Sequence, residues 1–149
     1  MERLQHHWYR ISPLHLLLLP LSFIFGALAI IRRWLYRSGV LASIKIPVPV
    51  VIIGNISVGG TGKTPLTLWL AQQLINEGWH PSIISRGYLK TGQQTVSPRE
   101  VFNTDLADDV GDEPLLMAQR KLCPVWISRD RPAAALALLV AHPECDILL

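Results

Sequence analysis

The stretch PVVIIGNISVGGTGKTP, residues 49–65, constrains the fold more than any other part of this chain. Val48, Val50, Val51, Ile52 and Ile53 form a short β-branched run of the kind found in buried parallel strands. A glycine-rich turn follows. Leu66, Leu70 and Leu74 then recur at helical spacing, with Ala71 and Ile75 beside them, and Gly78 supplies a helix stop. Strand, glycine-rich loop and helix in that order predict a phosphate-binding loop, whose pattern is G-x-x-x-x-G-K-[ST]. Gly62, Lys63 and Thr64 fill its second half, but Ser57 stands where the first glycine belongs.

The chemistry of such a loop explains its residues. A triphosphate needs several N–H donors converging on it, and small residues let the backbone approach closely. Ser57, Val58, Gly59, Gly60, Thr61 and Gly62 are the expected cradle. Lys63 reaches the β- and γ-phosphates, and the Thr64 hydroxyl is a candidate Mg²⁺ ligand.

The pattern downstream keeps alternating. Residues 80–85 (HPSIIS), 124–128 (PVWIS) and 146–149 (DILL) read as further strands, and Asp130-Arg131-Pro132 opens a helix rich in Ala and Leu. Residues 89–104 are polar and turn-rich and read as a surface excursion, with a small hairpin as one option. The expected fold is a three-layer α/β/α domain of the P-loop type with a mostly parallel sheet, over residues 46–149.

Two groups near the expected ligand edge stand out. Arg86 follows the second strand directly, where ligands of open α/β sheets bind, though an ordinary loop arginine is an equal reading. Asp112-Glu113-Pro114 lies in the acidic stretch DLADDVGDEPLLMAQR. One reading makes Asp112 a helix cap. The other makes one carboxylate a general base and its neighbour, Glu113, a Mg²⁺ ligand. Asp146 starts the last strand, the wrong end for a metal ligand. The chain stops at Leu149, where such a residue is expected next, so a longer protein is anticipated.

The 149 residues are 50% apolar, with a net charge of +3 and a mean hydropathy of +0.30. Much of this resides in Leu14–Ile31, LHLLLLPLSFIFGALAII. As a helix it would be roughly 27 Å long, just short of a bilayer core, with Pro20 near its middle. Trp8, Tyr9, Trp34 and Tyr36 flank it as an interfacial belt would. Residues 1–45 are therefore expected to be a membrane-associated helical segment, shallowly inserted, against a full span, a signal peptide or a buried core helix. Arg32, Arg33 and Arg37 favour placing the loop on the cytoplasmic side of an anionic bilayer. No basic stripe interleaved with aromatics follows, which argues against nucleic acid. Cys123 and Cys145 are too few for a disulfide framework and fit a reducing cytoplasm.

Taken with RRWLYRSGVL, SRGY, GDEPLLMA and RDRPAAA, the loop resembles that of the tetraacyldisaccharide 4′-kinases of Gram-negative bacteria over essentially the whole chain. A small residue in place of the first loop glycine is characteristic of that family. The resemblance implies ATP and Mg²⁺ as cofactors, and transfer to the 4′-hydroxyl of a membrane-embedded acylated disaccharide 1-phosphate, making lipid IVA. The expected location is the cytoplasmic face of the inner membrane. By resemblance, Lys63 and Thr64 are the loop lysine and metal ligand, Asp112 the catalytic aspartate, Glu113 its acidic partner near Mg²⁺, and Arg86 an active-site arginine. Family members run to roughly twice this length, with a further acidic motif and a second, smaller domain. The competing class is a membrane-associated P-loop ATPase or GTPase, the latter disfavoured by the lack of a guanine-selecting N-K-x-D motif. A truncated product without activity is the third reading.

Overall fold

A computed structural model describes residues 13–54, 62–87 and 97–149. The chain divides into two compact units, Met1–Ile44 and Lys45–Leu149.

The first unit contains one long helix, α1 (Pro13–Arg37). Its 25 residues make about 37 Å of helix, longer than the apolar run alone suggests. Arg32, Arg33, Trp34, Leu35 and Tyr36 are competent helix formers and carry it on, and Arg32 stacks over Tyr36 at 5.7 Å. Pro20 lies inside the helix without ending it. Gly39, at φ 76°, closes it. Phe23, Ile24, Phe25, Leu28, Ile30 and Ile31 are all exposed, so apolar side chains point in several directions rather than along one stripe. The stretch Leu18–Arg37 is long and apolar enough to cross a membrane by length and composition.

The second unit is an α/β/α sandwich. Its elements are α2 (Lys63–Asn76), β1 (Pro81–Ser85), β2 (Arg99–Glu100), α3 (Ala107–Val110), α4 (Asp112–Gln119), β3 (Val125–Ile127), α5 (Arg131–Ala141) and β4 (Ile147–Leu148). The sheet order is β2-β3-β1-β4. β1 pairs parallel with β3 and with β4, and β2 joins β3 antiparallel.

Alternation along the strands explains the layers. Ile83, Val125, Ile127 and Leu149 face one core together with Ala71 of α2 and Met117 and Ala118 of α4. Ile84, Trp126 and Leu148 belong to the other core, with Ala135 and Leu138 of α5. β1, β3 and the β4 segment therefore carry apolar residues on both faces, as a sheet covered by helices on both sides requires. Helix stops follow the sequence signals. Gly78, at φ 88°, ends α2, and Trp79 N–H returns to Leu74 O at 2.9 Å. The Asp130 side chain caps α5 by accepting from Ala133 N–H at 3.1 Å.

Two expectations are revised. The run before the loop is not a buried strand among the described residues. Val50 makes a single parallel bridge to Leu148, and Ile52 is 88% exposed. It lies at the margin of the described sheet, beside β4, so one of its edges and much of its side-chain surface face solvent. Part of the polar excursion is a strand, β2, as the hairpin option allowed, but it pairs antiparallel with β3 rather than with a hairpin partner among the described residues. Its two residues are too few for a period-2 signal, and Asp105 holds it by pairing with Arg99 at 2.6 Å and accepting from Phe102 N–H at 2.9 Å.

Candidate active site

The parallel pairing sends the carboxyl ends of β1, β3, β4 and the Val50 segment to one edge of the sheet. That edge is where an open α/β sheet binds ligands. Gly62 enters α2 at φ 73°, a left-handed conformation that costs an L side chain strain. Lys63 and Thr64 are the first two residues of α2, both half-buried, and no side chain caps the helix start. A helix start directs N–H groups and a positive dipole end toward whatever lies before it, a setting that suits an anion. Thr67 Oγ1 donates to Lys63 O at 2.9 Å and stiffens this first turn. Ser57, Val58, Gly59, Gly60 and Thr61 lie outside the described residues.

Across the cleft, Asp112 and Glu113 begin α4. α4 packs on β3 and touches α2, which brings its start against the start of α2. Thr64 Oγ1 donates a hydrogen bond to Glu113 Oε1. A hydroxyl and a carboxylate oxygen meeting in this way are hard donors of the type Mg²⁺ prefers. Among the described residues no group of three or more His, Cys, Asp or Glu is placed to hold a metal.

The cap reading of Asp112 does not hold. The N-cap of α4 is Gly111, at φ 92° and ψ 149°, and no side chain caps the helix. A residue at φ 92° is best served by glycine, which displaces the cap position one residue upstream of Asp112. Asp112 is instead exposed in the first helical turn. Asp146 lies at the opposite edge, accepting from His80 N–H at 2.8 Å, a structural tie between the starts of β1 and β4.

Arg86 follows β1 and is exposed. It lines an open concavity of about 470 Å³ with Arg129, Asp130, Arg131 and Pro132. The residues of RDRP were legible as a helix start, not as neighbours of Arg86. The β1–β3 pairing that joins them spans more than forty residues of sequence.

The family model for tetraacyldisaccharide-1-P 4′-kinase matches residues 14–149. The chain belongs to this family. Among its curated relatives, the tetraacyldisaccharide 4′-kinase of Azoarcus sp. (strain BH72) is 52% identical over 143 residues, 96% of this chain and 41% of the relative. That of Janthinobacterium sp. (strain Marseille) is 51% identical, with 99% of this chain and 42% of the relative covered. The chain thus spans about two fifths of the length of the kinases it matches. The crystal structure of LpxK from Aquifex aeolicus in complex with ATP superposes with a TM-score of 0.66 at 36% identity, covering 91% of this chain and 43% of that one. This likeness agrees with the α/β architecture described above.

Proposed function

We propose that this chain supplies the nucleotide-binding half of a kinase. It would transfer the γ-phosphoryl group of ATP to the 4′-hydroxyl of a tetraacyldisaccharide 1-phosphate, giving lipid IVA for lipid A biosynthesis. The observation that carries the reading is the contact of Thr64 with Glu113. It places a loop hydroxyl and an acidic pair side by side at the ligand edge of the sheet, in a chain whose relatives are tetraacyldisaccharide 4′-kinases.

In this reading residues 57–64 cradle the phosphates through backbone N–H groups, and Lys63 balances their charge. Thr64 and Glu113 hold Mg²⁺, which when bound neutralises charge building on the transferred group. Asp112 takes the proton from the attacking sugar hydroxyl, which is almost wholly un-ionised at neutral pH. Arg86 lends a fixed positive charge to the same edge. Residues 46–149 form the kinase unit and residues 1–45 the membrane segment. The apolar surface of α1 and Arg32, Arg33 and Arg37 near its end favour the cytoplasmic face of the inner membrane.

The test is transfer of labelled γ-phosphate in the full-length protein, with tetraacyldisaccharide 1-phosphate as acceptor. Label should enter the lipid, and Lys63→Ala should abolish this. Label released only as inorganic phosphate would instead indicate an ATPase. Deleting residues 1–37 should move the protein from membranes to the soluble fraction; undiminished sedimentation with membranes would place the anchor elsewhere.

A further inference from the structure

Gly111 joins α3 to α4, and both of its backbone polar groups are committed. Its N–H donates to Ala107 O at 2.8 Å and closes α3. Its carbonyl accepts from Leu115 N–H at 3.2 Å and opens α4. To serve both helices the residue adopts φ 92° and ψ 149°. That corner of the backbone map is essentially reserved for glycine, because a Cβ there collides with the neighbouring peptide groups.

The bend is held from both sides. Val110, before it, is fully buried in the core that α2 and β3 share. Pro114, after it, is also buried, and its ring fixes φ in the first turn of α4. Between these anchors stand Asp112 and Glu113, both exposed. Core packing therefore does not set where their carboxylates point, and the backbone at 111 does. The direction matters because α4 starts against α2, where Glu113 accepts from the Thr64 hydroxyl. A residue restricted to negative φ would rotate the chain between the two anchors. Asp112 and Glu113, one and two residues on, would swing with it.

We infer that Gly111 is a positioning residue: its glycine-only backbone aims the acidic pair at the start of α2. The inference rests on the kinase reading above and adds to it a residue that acts through its two neighbours. Steering the carboxylates is separable from holding the fold, and Gly78 provides the comparison. It ends α2 at φ 88°, and a Cβ there would meet nothing within 4 Å. An L side chain is strained at either glycine. Gly78, however, lies beyond the far end of α2 from Lys63 and Thr64, about 21 Å away along a helix of 14 residues.

The test compares Gly111→Ala, Gly111→Asn and Gly78→Ala in the full-length protein. Asn accepts positive φ better than Ala, so it should restore part of what Ala loses. Both changes to Ala should lower the melting temperature. Only those at 111 should raise the Mg²⁺ concentration for half-maximal binding of a non-hydrolysable ATP analogue, by about tenfold or more for Ala. Turnover of Gly111→Ala with the lipid acceptor should fall by about tenfold or more at saturating Mg²⁺, with KM for ATP little changed. A second readout needs no nucleotide. A double-mutant cycle of Thr64→Val and Glu113→Ala in urea unfolding should show coupling in the parent and none in the Gly111→Ala background. Failure of the kinase reading registers separately, as no label entering lipid from the parent, while the cycle still reports on Gly111. The inference is overturned if the parent shows no coupling, if coupling survives in Gly111→Ala, or if the Mg²⁺ requirement of that variant matches that of the parent or of Gly78→Ala. It is equally overturned if both variants at 111 fail to fold while Gly78→Ala folds, which would make the glycine structural alone.

Discussion

Thr64 and Glu113, 49 positions apart in the chain, are joined by a hydrogen bond from the threonine hydroxyl to the carboxylate. The bond ties the first turn of α2 to the first turn of α4. If both oxygens also hold Mg²⁺, Glu113→Gln keeps an acceptor for Thr64 but loses the charge the cation needs. The Mg²⁺ concentration giving half-maximal binding of an ATP analogue should then rise by about 10–100-fold. Chelation of Mg²⁺ should weaken the parent protein's nucleotide binding and have little further effect on the variant. An unaltered Mg²⁺ requirement would leave Glu113 as a structural partner of Thr64 alone.

Asp112→Asn separates chemistry from helix stability. Gly111 occupies the cap position and Asp112 stands inside the first turn, where its charge meets the helix dipole, an interaction worth about 0.3–1 kcal/mol. Turnover in the full-length protein should fall by about a hundredfold or more, with nucleotide affinity little changed. Near-normal transfer to the lipid acceptor would remove Asp112 from the role of base.

Gly87→Ala tests the contact between the ends of β1 and β3. The residue sits at φ 61°, and its added Cβ would meet Ile127 at 3.0 Å. Left-handed strain and overpacking together should cost about 2–4 kcal/mol, read from urea unfolding of the parent and variant. A loss below half a kcal/mol would mean that the ends of β1 and β3 shift easily apart.

Stability should fall at high pH because of Cys123. Burial, reinforced by the neighbouring Cys145 thiol, pushes its pKa from 9.0 up to about 12. The folded state therefore keeps a proton that the unfolded chain releases. The associated stability is complete below about pH 9 and is lost as pH rises toward about 12, by at most about 1.4 kcal/mol per unit. Cys123→Ala should be less sensitive than the parent to pH between 9 and 12 in denaturant melts. Parallel curves for the two proteins would show that the thiol ionises without cost in the fold.

Local chemistry made much of this protein readable in advance. Leu66, Leu70 and Leu74 mark α2, Gly78 stops it, Asp130 caps α5, and the short apolar runs become β1, β3 and β4. Such signals lie within a few residues of one another, because helix and strand periodicities and caps are short-range. Gly62-Lys63-Thr64 and the acidic pair were legible for the same reason, as types of chemistry at fixed spacing. Tertiary structure alone decided which of them meet. The contact of Thr64 with Glu113, the convergence of Arg86 with Arg129 and Arg131, and the placing of Val50 beside Leu148 depend on strand order and helix packing. Those arise from burial of both sheet faces at once, a property of the assembled layers that no single segment encodes. The positive φ of Gly111, which moved the cap of α4 away from Asp112, is likewise a backbone choice made in the folded chain.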